Sequence, residues 1–331
     1  MHVGLVGAGR IGTFHAGTLA GHPLVGRLSL TDPDRERAAR LAAAHSATEA
    51  ESPESMLEDG VQALVIAAAT PAHAPLIQLA AAACIPCFCE KPIALDLDAT
   101  DQALSHVERS GILFQVGFQR RFDAGYRAAR AAVRSGRLGE LYLVRGAAHD
   151  PLPPPEDYLA GSGGLWRDML IHDFDVLPWV LGQEVVEVYA DGVAHDAVFA
   201  RNHDVDAGAA LLRFQGGALG VVTSSRLDPL GHDVRMELFG SADSVAVGLG
   251  ERTPLHSLEP GAAAAAGPAW RDFLDRFGPA YVAELDTFLR AAVDGGVSAC
   301  GGADARRALQ VALAAARSQA EHRPVRVEEI G

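Results

Sequence analysis

No apolar run in this 331-residue chain reaches the length of a membrane-spanning helix, so a membrane-embedded protein is not expected. Basic clusters are missing as well. The formal net charge is −14, which makes nucleic acid and anionic membrane surfaces poor partners. Cysteine is scarce, at 4 residues, and no second Cys or His pair follows Cys84 and Cys87 at zinc spacing. Cys87 and Cys89 alternate with Pro86 and Phe88 in an apolar strand, so they are expected to be small buried side chains rather than a redox or metal site. There is no internal repeat. The start, M-H-V-G-L-V-G-A-G, has no basic leader or small-residue cleavage site and already reads as a strand, from which a cytoplasmic protein is expected. What is present, 49% apolar and 21% charged residues, is the composition of an ordinary soluble enzyme, at a length that fits two domains.

Strand and helix patterns alternate up to about residue 120. Apolar runs at 2–6, 24–30, 61–67, 86–89 and 112–117 are separated by Arg-, Ala- and Glu-rich helical stretches. That rhythm implies a parallel sheet covered on both faces. Beyond it the pattern predicts a helix over 122–135, a strand over 141–148, a Pro-rich loop and a helix ending at Gly182. β-like runs follow at 184–190, 207–214, 218–225, 234–239 and 244–247, two of them separated by the turn signal Q-G-G. Gly and Pro bracket a flexible loop over 261–268, and helices over 271–293 and 303–319 close the chain. The expected fold is α/β: a doubly wound Rossmann domain over 1–120, then an α+β domain over 121–331 on a large, mostly antiparallel open sheet.

Gly7-Ala8-Gly9-Arg10-Ile11-Gly12 matches G-x-G-x-x-G, directly follows the first strand and opens a helix, and Asp32 ends the second strand. In that context the motif reads as a dinucleotide site. Gly7 permits the turn, Gly9 lets the backbone approach a pyrophosphate, Gly12 allows close helix packing, and the helix N-terminus faces the phosphates. Asp32 accepts ribose hydroxyls and repels a 2′-phosphate, which selects NAD over NADP, although Arg35 and Arg37 lie close by. The fourth apolar run ends C-F-C-E-K-P. That fourth strand is expected beside the first, so Glu90 and Lys91 emerge next to the glycine loop, and Lys91 supplies positive charge where an alkoxide forms. Pro92 stiffens the exit and is open to a cis bond.

The segment L-W-R-D-M-L-I-H-D-F-D-V-L-P-W-V-L-G reads as one buried helix. At about 100° per residue, Asp168, His172 and Asp175 fall within roughly 60° of one another, with Trp179 on the same line. An ionisable stripe on an otherwise apolar helix must be paired, solvated by a cleft, or used. A metal triad is the least favoured of its readings.

These pieces together resemble the glucose–fructose oxidoreductase, inositol 2-dehydrogenase and MocA family. The resemblance rests on G-A-G-R-I-G-x-x-H (Gly7–His15), C-E-K-P-I-A (Cys89–Ala94), V-G-F-Q-R-R-F-D (Val116–Asp123), the segment Ser162–Asp175 and F-G-S at Phe239–Ser241. It covers essentially the whole chain, and within the family the chain looks most like the myo-inositol 2-dehydrogenases. The resemblance implies a nicotinamide cofactor held by Gly7, Gly9, Arg10, Ile11, Gly12, Asp32, Arg37, Ala68, Thr70, His73, Glu90 and Lys91. It implies a polyol or sugar substrate, a catalytic trio of Lys91, Asp168 and His172, and a pocket lined by Arg121, Asp150, Tyr158, Asp175 and His232. Two positions depart from the inositol pattern: His232 replaces a tyrosine, and Asp150 stands where an asparagine is common. A homodimer or homotetramer is expected, because the open sheet face needs cover.

The reaction so implied is oxidation of a secondary hydroxyl, with His172 as general base and Asp168 orienting it. Rival readings are a dehydrogenase of another sugar or anhydrosugar, an NAD-dependent glycosidase, and a nucleotide-binding sensor without chemistry.

Overall fold

The computed structural model describes residues 1–261 and 267–331; most of the loop expected over 261–268 therefore lies outside the described residues. Two compact units are present. The first comprises Met1–Gln119 with Pro279–Arg306, and the second Arg120–Gly278 with Arg307–Gly331. One cut near residue 120 therefore does not describe them, because the chain returns to its first unit. The reason is apolar packing. Leu285, Phe288 and Leu289, from the helix Phe273–Asp294, join Val3, Leu5, Leu30, Val65 and Phe88 in one buried cluster. Each such side chain is worth about 1.5–3 kcal/mol when buried, and the Phe88 and Phe288 rings lie 5.8 Å apart.

The first unit holds six parallel strands: β1 (His2–Val6), β2 (Arg27–Thr31), β3 (Thr48–Glu49), β4 (Ala63–Ile66), β5 (Cys87–Glu90) and β6 (Phe114–Gly117). Their spatial order is β3-β2-β1-β4-β5-β6, a doubly wound sheet whose order reverses between β1 and β4. This corrects one expectation. The two-residue β3 carries no apolar run, so the sequence undercounts the strands. The strand beside β1 is β4, in register Val3↔Ala63 to Val6↔Ile66, and the strand carrying Glu90 lies one place further out. Cys87 and Cys89 on β5 are fully buried, and burial pushes both thiols up.

In the second unit, β7 (Leu141–His149), β8 (Val185–Val193), β9 (Ala207–Phe214), β10 (Leu219–Ser225), β11 (Asp233–Gly240), β12 (Ser244–Val247) and β13 (Val325–Arg326) form one open sheet. The order is β12-β11-β7-β10-β9-β8-β13, antiparallel throughout except that β10 runs parallel to β7. Inward positions alternate as the pleat requires: Val144, Gly146 and Ala148 on β7, then Gly220, Val222 and Ser224 on β10. Gly146 leaves little room here: a Cβ would lie 3.1 Å from Asp173 Oδ1 on the overlying helix, which would have to shift by a few tenths of an ångström. On the outer face Tyr189 and Leu211, paired across β8 and β9, are each more than 40% exposed.

The helix read as continuous up to Gly182 has two parts. Leu165–Met169 forms a π-helical turn, with Leu170 N–H donating to Leu165 O, and Ile171–Leu181 is α-helical. Gly182, at φ 66°, ends it in the left-handed conformation. The 100° projection therefore fails between Asp168 and His172. π turns inside helices occur frequently at functional sites.

Candidate active site

The glycine loop has the shape its residues require. Gly7 sits at φ +107°, and a Cβ there would lie 2.4 Å from Ala67 O; at Gly12 it would lie 2.1 Å from Gly7 O. At Gly9 a Cβ would meet nothing within 4 Å. Two glycines are therefore demanded by the protein itself, while the third leaves its space open. The helix Arg10–Ala20 starts at Gly9 with no side-chain cap and no acid in its first turn, so its N-terminus fits an anion. Arg10 is exposed there and Ile11 is half-buried.

Asp32 is tied into the fold by three donors. Its Oδ2 accepts the Ala8 N–H at 2.7 Å, while Oδ1 accepts from Asp34 N–H at 2.8 Å and Arg37 Nη2 at 2.9 Å. Burial alone would raise its pKa; those donors outweigh it and hold the carboxyl below its usual value. Arg35 is turned instead onto Glu49 at 2.7 Å.

Lys91 follows β5, half-buried, and its bond to Pro92 is cis. Its neighbour Glu90 points inward: Oε1 lies 2.6 Å from His15 Nε2, on the glycine-loop helix. Glu284, fully buried and with no hydrogen bond to either carboxyl oxygen, joins them; ligand atoms of the three side chains all lie within 4.8 Å of one another. The His15–Glu90 hydrogen bond is too short to hold a cation between those two atoms. His73 is equally inward, its ring 2.7 Å from Pro92 O and 2.9 Å from Ala68 O, so it braces the segments after β4 and β5. Its burial lowers its pKa against the pull of those carbonyls. Thr70 opens the short 3₁₀ turn Thr70–Ala72, half-buried.

In the second unit four of the residues named from sequence meet, joined by one that was missed. The Asp168 carboxylate accepts the Tyr158 hydroxyl at 2.8 Å on Oδ1 and Arg226 Nη2 at 2.9 Å on Oδ2. Arg226 Nη1 lies 3.8 Å from Asp150 Oδ2, and Asp150 Oδ1 lies 3.2 Å from His232 Nδ1. The two positions that depart from the inositol pattern are thus neighbours, at ion-pair distance and without a hydrogen bond from either His232 ring nitrogen. Arg226 was legible in principle: it continues the inward series Gly220, Val222, Ser224, and an inward arginine must be paired.

His172 is half-buried at the second position of the helix Ile171–Leu181. Arg121 grips Asp175 with Nε at 2.8 Å from Oδ2, and its guanidinium lies 5.8 Å from the centre of the Trp179 ring. Guanidinium donors thus sit on both carboxylates of the stripe, where a metal reading would put the ion. Asp173, read only as part of the motif, pairs with Arg120 at 2.9 Å in the interior. Its burial raises its carboxyl pKa, against the pull of Arg120.

Comparison with known proteins gives a consistent result. Residues 1–118 match the model described as an oxidoreductase family with an NAD-binding Rossmann fold, and 126–246 match the GFO/IDH/MocA C-terminal domain. The chain is 35% identical to a myo-inositol 2-dehydrogenase of Thermotoga maritima, covering 100% of this chain and 99% of that protein. It is 39% identical to the myo-inositol dehydrogenase Hyg17 of Streptomyces leeuwenhoekii, over 96% of this chain and 97% of the other. The scyllo-inositol dehydrogenase of Lactobacillus casei, solved with NAD(H) and scyllo-inositol, superposes at a TM-score of 0.90 with 26% identity, covering 99% of this chain and 99% of that one.

Proposed function

The chain belongs to the GFO/IDH/MocA family of oxidoreductases with an NAD-binding Rossmann domain, and from that premise we propose that it oxidises a secondary hydroxyl of a cyclitol or closely related sugar with NAD. The observation that carries the substrate side is the polar network Tyr158–Asp168–Arg226–Asp150–His232: buried at its centre, exposed at Tyr158, with Asp168 on the segment that carries His172. Such a set of fixed donors and acceptors suits a ligand made of hydroxyl groups.

The residues present fit the cofactor. Gly9 and the N-terminus of Arg10–Ala20 would hold its pyrophosphate and Asp32 its ribose, and the Arg37 charge is already spent on Asp32, which supports NAD over NADP. When bound, NAD supplies the acceptor for the hydride leaving the carbinol carbon. His172 takes the hydroxyl proton, a task for which a neutral imidazole is suited near pH 7. The Lys91 ammonium stabilises the developing alkoxide. Asp168, with donors on both oxygens, keeps a fixed acceptor geometry one turn before His172 and offsets the imidazolium charge.

The test is direct. His172→Ala and Lys91→Ala should each bind NAD as the wild type does in fluorescence titration and lose most turnover on myo- and scyllo-inositol; near-wild-type turnover in either would end this reading. The exposed outer face around Tyr189 and Leu211 is where a second copy would pack, making the enzyme a homo-oligomer, and a monomeric mass in solution would remove that part. No described helix is long and apolar enough to cross a membrane.

A further inference from the structure

We infer that Arg226 is a positioning residue of the reaction: it acts through Asp168, and it links the carboxylate beside the proposed base to the Asp150–His232 pair. The inference rests on the reading of this chain as a polyol dehydrogenase and goes beyond it, since no sequence motif marked Arg226.

Four observations carry it. Arg226 is 3% exposed, directly after the inward-facing end of β10, where its backbone N–H is fixed on Asp206 O at 2.7 Å. Its Nη2 holds Asp168 Oδ2 at 2.9 Å, and its Nη1 faces Asp150 Oδ2 at 3.8 Å. Asp204, whose Oδ1 accepts the Leu165 N–H at 2.8 Å and so fixes the start of the π turn, adds a third carboxylate to its electrostatic surroundings. Burial opposes the Arg226 charge, but Asp168 and Asp150 outweigh it and the net pKa shift is upward, so the guanidinium is a permanent cation.

A π turn carries no regular i, i+4 neighbours to aim Asp168. Its direction is set by what grips its two oxygens, and of Arg226 and Tyr158, Arg226 grips from the buried, backbone-anchored position, since Tyr158 is 48% exposed. One guanidinium, hydrogen-bonded to Asp168 and at ion-pair distance from Asp150, therefore links the two carboxylates. A positioning role of this kind is sensitive to small displacements, because a shift of about 1 Å at a catalytic group costs about 100-fold in rate.

The structural alternative is that Arg226 merely neutralises carboxylates in a polar interior. Kinetics of the full-length enzyme with NAD and the best inositol separate the two. Arg226→Met should lower kcat about 100-fold while leaving the KM for NAD within twofold. Arg226→Lys, which keeps the charge but not the fork, should recover only part of the loss. In the Asp168→Asn background, Arg226→Met should cost less than threefold further, because its effect runs through Asp168. A kcat within threefold of wild type for Arg226→Met, or the full 100-fold loss repeated in the Asp168→Asn background, overturns the inference. If Arg226→Met does not fold, Arg226→Lys decides: a fivefold or greater loss of kcat at unchanged melting temperature supports the role, and wild-type kcat refutes it. His172→Ala keeps the two readings apart. Retained turnover there sinks the dehydrogenase reading itself, whereas turnover lost there but kept in the Arg226 variants sinks only this inference.

Discussion

Glu284→Gln should change how the stability of the first unit depends on pH. Glu284 is fully buried, neither of its carboxyl oxygens is hydrogen-bonded, and it lies beside Glu90. Burial first, and the Glu90 charge second, push its pKa well above the ordinary glutamate value of 4.5. The folded protein therefore keeps a proton that the unfolded chain releases above about pH 4.5. The stability this group supports is fully present below that pH and falls as pH rises towards the folded pKa, by about 1.4 kcal/mol per pH unit for one proton. For a unit of this size that corresponds to about 3–6 °C of melting temperature per pH unit. Glutamine fills the same space without a titrating proton, so the loss disappears. In calorimetric scans at pH 5, 6 and 7, the melting temperature of Glu284→Gln minus that of wild type should rise above its value at pH 5. Titrating groups away from the His15–Glu90–Glu284 cluster are common to both proteins and cancel in the difference. A constant difference across the three pH values would show that Glu284 releases its proton as easily in the fold as outside it, and the reasoning from burial would fail.

Other substitutions separate demands of the fold from demands of the ligand. Gly9→Val has open space for its side chain and should fold with a near-wild-type melting temperature, yet NAD affinity by titration should fall at least tenfold; unchanged affinity would mean that no pyrophosphate passes there. Gly12→Val, whose Cβ would lie 2.1 Å from Gly7 O, should instead yield insoluble or unfolded protein. Asp32→Ala removes both an anion and the Ala8 anchor, so the KM for NAD should rise about tenfold and the preference for NAD over NADP should shrink; an undiminished preference would assign selectivity elsewhere. Tyr158→Phe deletes one hydrogen bond to Asp168 from a half-exposed ring, and should lower kcat about three- to tenfold with the melting temperature within about 2 °C.

What could be read from the sequence was local. The glycine loop is a strand, a turn and a helix in consecutive residues, and its three glycines fall where the pattern put them. The apolar alternation of β7 to β12 gave the second sheet, but not its parallel β7–β10 pair, because register between distant strands leaves no local mark. Thr48–Glu49 is too short and too polar to show a period. The π turn at Leu165–Met169 has no composition signal, since its residues also suit an α-helix. Residues Pro279–Arg306 are amphipathic in a way that shows they pack, not which unit they pack on. Asp150 and His232 were singled out separately as departures, and only coordinates show them 3.2 Å apart. His15 and Glu90 stood in two separate motifs and meet only in the fold.

The most direct measurement is the fate of the carbinol hydrogen. Enzyme, NAD and inositol carrying deuterium on its ring carbons should give reduced cofactor with one deuterium at nicotinamide C4, in a 1:1 ratio to ketone. Ketone formed without deuterated cofactor, or no reduced cofactor from any polyol or sugar tried while NAD is shown to bind, would contradict the account.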